Sequence, residues 1–165
     1  MDTFFEQIIK IKNTAKTYLG YFLISLLAII LILIGILFLR SVLPIVVLAV
    51  GFGAFKLYSM LNVEYEYIIT NSSFDIDKIV AKSSRKRIFS FDLISVIRVE
   101  KYNKGLPEDL IKGAFFACNE SDEDAVVIVI QPEGKAKQSI IIAPNDRMRS
   151  AMKKFLPKHI GDNLQ

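Results

Sequence analysis

The chain has 165 residues, 52% hydrophobic and 23% charged, with a mean hydropathy of +0.39, a net charge of +4 and one cysteine. That balance speaks against a disordered chain and a disulfide scaffold, and the clustering of the apolar residues speaks against a wholly soluble protein. Residues 1–61 hold five Lys/Arg against two Asp/Glu and residues 62–165 sixteen against fifteen, whereas a nucleic-acid binder concentrates cations on its folded domain, so no nucleic-acid partner is expected.

At the start of the chain Phe4, Ile8 and Ile11 share one helical face, with Phe5 and Ile9 alongside, among Glu6, Lys10, Lys12 and Lys16. The spacing predicts an interfacial amphipathic helix over residues 1–17, or else a cytoplasmic extension of the first span. Residues 18–61 predict a transmembrane hairpin with spans at about 18–39 and 42–61. Tyr18 to Leu39 is 22 uncharged residues, about 33 Å as a helix against a hydrocarbon core of roughly 30 Å. The second stretch is interrupted only by Lys56 near its end, where a long side chain reaches the headgroups. Arg40 and Ser41 form the turn, and Pro44 falls in the first turn of the second helix, where proline is tolerated. A signal peptide would be shorter and would end in a small-x-small site.

Lys10, Lys12 and Lys16 precede the first span and Lys56 follows the second, with only Arg40 between them. This asymmetry predicts a multi-pass protein of the cell membrane with both termini in the cytoplasm. Tyr18, Tyr21 and Tyr58 then lie at the cytoplasmic interface, and the lone Cys118 fits a reducing compartment. Ala49 and Gly53 make a small-xxx-small pair, accounted for by packing inside the hairpin or by dimerisation.

Residues 62–165 change period, from helical runs to short alternating strands bounded by turn residues. Strands are predicted at Val63–Thr70, Phe74–Ala81, Lys86–Phe91, Ile94–Tyr102, Ala125–Gln131 and Gln138–Ala143, with a further one at Gly113–Cys118 inside a looser stretch. Pro132-Glu133-Gly134 supplies a turn. Met148, Ala151, Met152, Phe155 and Leu156 recur at helical spacing after the cap Pro144-Asn145-Asp146, and Pro157 stops that helix. The fold class is therefore α+β: a helical hairpin, then a small, strongly bent antiparallel β barrel or sandwich with a C-terminal amphipathic helix.

Glu64-Tyr65-Glu66-Tyr67-Ile68-Ile69-Thr70-Asn71, Phe74-Asp75-Ile76-Asp77-Lys78-Ile79 and Arg85-Lys86-Arg87-Ile88-Phe89-Ser90-Phe91-Asp92 resemble the core of bacterial PH-like domains carried on membrane hairpins. Ile94 with Val96-Ile97, and Ile142-Ala143-Pro144-Asn145 leading into a helix, are similar too. The nearest likeness is to an uncharacterised family of small two-span membrane proteins from Gram-positive bacteria. The resemblance implies a PH-like domain and no known activity, and residues 103–124 depart from its shorter pattern.

No catalytic constellation emerges. Asp75-Ile76-Asp77 looks like a metal-holding acidic pair, but two carboxylates two apart on a strand most often meet cations on the next strand. Glu120, Asp122, Glu123 and Asp124 lack the glycine and glutamate spacing of an EF-hand. His159 is the only histidine, and Cys118 has no second cysteine nearby. No catalytic residue, metal or cofactor is expected.

The function that remains is a non-enzymatic, membrane-anchored binding or scaffolding module. The alternative is an accessory subunit of a membrane enzyme or transporter. Its expected partners are membrane lipids through the two spans, and anionic headgroups or a membrane protein at the domain. The strongest charge feature is the run Lys82, Arg85, Lys86 and Arg87, at the predicted turn between the second and third strands of the domain, with Lys78 upstream. These four are the candidate headgroup or partner contacts, because each cation near an anionic leaflet is worth about 1 kcal/mol. The competing reading is a solvated turn whose cations pair with Asp75, Asp77 or Asp92.

Overall fold

The computed structural model describes residues 3–103, 105–131, 136–161 and 164. The chain divides into two compact units: Lys12–Val63 with Val80–Ser84, and Met1–Ile11 with Glu64–Ile79 and Arg85–Gln165.

The first unit is a helical hairpin. Helix α1 (Ala15–Phe38) begins at Thr14, whose N–H donates to Thr17 Oγ1 at 3.3 Å. A 3₁₀ turn at Arg40–Val42 leads to α2 (Leu43–Met60), with Pro44 in its first turn. A Cβ added at Gly35 would lie 3.1 Å from Val46, and one at Gly20 3.2 Å from Leu61, so glycine allows a close approach at each of these positions, one toward each end of α1. Packing inside the hairpin does not use Gly53, whose Cβ position has no atom within 4 Å. Instead Ala28, Ala49 and Gly53 line an open apolar groove of about 290 Å³. Both helices are long and apolar enough to cross a membrane, and almost none of their residues are buried.

The second unit is a β sandwich. One sheet has the order β1-β2-β3-β4, from β1 (Phe4–Lys10), β2 (Val63–Thr70), β3 (Ser73–Val80) and β4 (Ser84–Asp92). The other has the order β5-β7-β8-β6, from β5 (Val96–Lys101), β6 (Phe115–Phe116), β7 (Val126–Ile130) and β8 (Gln138–Ile142). Among the described residues the sheets do not close into a barrel. Aromatic rings bridge them: Phe115 on β6 meets Tyr65 at 5.7 Å and Phe89 at 5.2 Å between centroids. Tyr67, fully buried, donates its hydroxyl to Ala117 O at 2.8 Å and accepts from Ala143 N–H at 3.3 Å.

β1 corrects the expectation of an interfacial helix over 1–17. Residues Phe4–Lys10 alternate outward and inward and pair antiparallel with β2 from Phe4↔Thr70 to Lys10↔Glu64. The apolar residues come in adjacent pairs, Phe4-Phe5 and Ile8-Ile9, so a period of 3.6 and a period of 2 fit them equally well. Tertiary pairing decides between them. The Gln7 side chain donates to Ala143 O at 2.9 Å and accepts from Asn145 N–H at 2.9 Å, tying β1 to the helix cap. Asn71, at φ 55, accepts from Thr3 N–H through Oδ1 and donates its own N–H to Thr3 O. The domain expected over 62–165 therefore includes a strand from before the hairpin.

The segment 103–124 contains a short helix, α3 (Glu108–Ile111), and β6, which pairs parallel with β8. Leu110 and Cys118 from this segment pack on Val127, Val129 and Ile141, while Ile128, Ile140 and Ile142 turn to the opposite face. Covering both faces explains why every residue of β7 is buried. Helix α4 (Asp146–Phe155) is capped by Asn145, which accepts from Met148 N–H at 2.8 Å, and it packs on β1. After Pro157, where the sequence predicted the helix to stop, a further short helix, α5 (Lys158–Gly161), carries His159. The turn at Pro132-Glu133-Gly134 lies outside the described residues.

Candidate functional site

Lys82 sits at the tip of the β3–β4 turn. Ala81 and Lys82 have φ of 54 and 56, and Ser83 N–H donates to Val80 O at 3.2 Å. Two successive left-handed residues closed by that bond make a type I′ turn, the form that matches strand twist but favours Asn-Gly. Ala-Lys meets the geometry at a steric cost of roughly 1–2 kcal/mol per residue. The turn is fastened by Ala81 N–H, which donates to Asn62 O at 3.1 Å, just past the end of α2. At the same end Tyr21 OH donates to Asn62 Oδ1 at 3.3 Å, and the Tyr21 ring meets Tyr18 at 6.4 Å and Tyr58 at 5.4 Å.

Arg85, Lys86 and Arg87 belong to β4, where alternation sends the two arginines to one side and Lys86 to the other. Arg85 forks onto Glu66 of β2, with Nη2 donating to Oε1 at 3.0 Å and Nη1 lying 2.9 Å from Oε2 off the hydrogen-bond axis. Arg87 bridges β3, with Nη1 2.9 Å from Asp75 Oδ2 and Nε donating to Asp77 Oδ1 at 2.9 Å. That bond to Asp77 raises the affinity of the Arg87 guanidinium for its proton. Asp92 instead accepts from Ile94 N–H at 3.1 Å and caps a 3₁₀ turn at Leu93–Ser95.

The carboxylates are more enclosed than the cations that meet them. Glu66 is 0% exposed and Asp77 4%, beneath arginine side chains that are over half exposed. Desolvation first, then a hydrogen bond to Glu6 of β1, hold the Glu66 carboxyl above the ordinary carboxylate range, against the pull of Arg85. Asp75 Oδ1 is buried without a hydrogen-bond partner among the described residues. Four acids, Glu6, Glu66, Asp75 and Asp77, thus meet two arginines, so this cluster offers no net positive charge. Among the described residues Lys82 and Lys86 are exposed and outside any ion pair, and they remain available to an anion.

The competing reading of the sequence, cations pairing with Asp75, Asp77 or Asp92, describes Arg87 with Asp75 and Asp77 but not Asp92, and it missed Glu66 and Glu6. The signal for Glu66 was present: alternation in β2 puts Glu64 and Glu66 opposite Tyr65 and Tyr67, on the face that meets neighbouring polar strands. Glu6 was hidden by the helical reading of its segment.

With a two-sheet sandwich and a capping helix established, comparison with known families is decisive. A family described as bacterial PH-like domain (DUF6106) matches residues 1–162. The chain belongs to this PH-like family. The match spans β1 and the hairpin as well as the sandwich, so the DUF6106 unit includes both. No curated protein and no solved structure matches the chain.

Proposed function

We propose that this DUF6106 chain is a non-enzymatic binding module anchored in the bacterial cell membrane by its hairpin, both termini cytoplasmic, touching anionic headgroups through Lys82 and Lys86. The observation that carries the reading is the β1–β2 pairing. The chain leaves one sheet at Lys10, runs through two apolar helices and re-enters that sheet at Val63. A hairpin bracketed in this way returns the chain to the side it left, which agrees with the Lys/Arg asymmetry. Further support comes from exposure: Phe38 is 79%, Leu48 74% and Phe52 72% exposed, which suits lipid and not water. Lys82 lies at the same end of the hairpin as the tyrosine cluster, the level at which aromatic rings meet headgroups.

Full-length protein in nanodiscs tests the lipid contact. With phosphatidylglycerol in the disc, Lys82 and Lys86 should be shielded from an amine-acylating reagent, and salt should remove the shielding. Equal acylation in purely zwitterionic and anionic discs would rule out the headgroup contact.

A further inference from the structure

A second candidate site lies in the sandwich, and Lys82, Arg85, Lys86 and Arg87 are not among its lining residues. A cleft of about 410 Å³ is lined by the α3 segment, by residues of all four strands of the second sheet and by Phe89 of β4. Its floor is apolar. Phe89 and Phe115 meet edge to face at 5.2 Å, and both stay partly exposed beside buried Leu110 and Val129. Among the described residues its rim is cationic, with Arg98 from β5, Lys112 from the end of α3 and Lys137 from the approach to β8, against one acid, Asp109. Arg98 is already shared with Glu100, at 2.6 Å from Nη2 and 2.8 Å from Nε. Lys112 and Lys137 form no ion pair among the described residues. Gly113, beside Lys112, adopts φ 80, a backbone conformation that favours glycine, and its Cβ position faces open space with no atom within 4 Å.

We propose that this cleft binds a small soluble phosphate monoester with a flat apolar body, the phosphate between Lys112 and Lys137 and the body on Phe89 and Phe115. The charge matches, because a phosphate monoester carries about −1.5 to −2 at neutral pH and meets two lysines that have no ion-pair partner among the described residues. The volume falls in the range of small-molecule sites, roughly 300–1,000 Å³, and is too small for a diacyl phospholipid. Cations at the rim over an aromatic floor recognise such a ligand by both of its ends, which neither a bare anion nor a neutral arene satisfies.

The test is calorimetric titration of the full chain in phosphatidylcholine nanodiscs, in a phosphate-free buffer, with phenyl phosphate as the probe. Phenyl phosphate should bind saturably and lose about tenfold or more in affinity in Lys112→Gln/Lys137→Gln. Inorganic phosphate should bind about tenfold or more weakly than phenyl phosphate, and benzyl alcohol should show no saturable binding. Absence of saturable phenyl phosphate binding, or equal affinity in the Lys112/Lys137 variant, would overturn the site. Equal affinity for inorganic phosphate would overturn the role of the aromatic floor. Displacement of phenyl phosphate by phosphatidic acid in the disc would overturn the assignment to a soluble ligand.

Discussion

The two units treat apolar and charged residues in opposite ways. In the hairpin, Leu37 is 75% and Leu48 74% exposed, while in the sandwich Tyr67, Ile69, Phe74 and Ile128 are at 0% and even the carboxylate of Glu66 is covered. A side chain's fate therefore follows from its unit and not from its hydropathy. In the hairpin the amount of apolar surface carries the information, because every face can be apolar. In the sandwich, alternation carries it, because one face of a strand must close a core and the other must solve its own charge pairing.

The comparison breaks most severely if β1 is taken away. Deleting residues 1–11 strips the outer strand from β2 and both Gln7 bonds from the helix cap, so the domain 62–165 alone should lack cooperative melting in circular dichroism. A peptide of residues 3–11 added in trans should restore part of the transition. An independently cooperative 62–165 would return the boundary to Asn62.

A matched pair of substitutions sharpens the contrast between solvents. Phe52 in α2 and Ile94 in the sandwich are 72% and 64% exposed. On the membrane reading, Phe52→Lys should cost about 2.5–3.5 kcal/mol of insertion at the middle of a span and shift protein out of the membrane fraction. Ile94→Lys should change the thermal midpoint very little, within about 0.5 kcal/mol. Equal tolerance at the two sites would place both in water.

Tyr67→Phe probes the polar joint inside the sandwich. It leaves the Ala117 carbonyl and the Ala143 N–H without their shared hydroxyl, at about 1–3 kcal/mol in chemical denaturation. A neutral result would mean that water takes the hydroxyl's place.

The smallest effect is a slope in pH. Because the Glu66 carboxyl sits above its ordinary value of 4.5 in the fold, the folded state binds more protons than the unfolded one over a window that opens near that value. Stability from this group is then highest below the window and falls as pH rises through it. The difference in stability between wild type and Glu66→Gln should decline with rising pH there. A flat difference would mean that Glu66 ionises in the fold as it does in the unfolded chain.

Much of this architecture was legible in the sequence, and the failures have physical causes. β2 was read to the residue, because Tyr65, Tyr67 and Ile69 alternate strictly with Glu64, Glu66 and Ile68 and Asn71 suits the left-handed turn that follows. β1 was misread, since paired apolar residues support two periods and the partner strand lies beyond two helices. The parallel β6–β8 contact was equally invisible, as two residues of strand carry no period. At the candidate site the cations were legible as a run. Their division into paired arginines and available lysines depends on buried carboxylates from two other strands, Glu66 on β2 and Asp75 and Asp77 on β3. The cleft at Lys112 and Lys137 joins residues that no local pattern connects.

The central claim is that the chain crosses the membrane and returns, so that the turn of the hairpin and the sandwich lie on opposite sides. Cys118 is a poor reporter, since it is buried and burial pushes its thiol up to about 12. In a Cys118→Ser background, Ser41→Cys and Ser90→Cys should be labelled separately with a membrane-impermeant maleimide on intact cells. The account predicts labelling at position 41 without lysis and at position 90 only after lysis. Labelling at 90 on intact cells, or at 41 only after lysis, would contradict it.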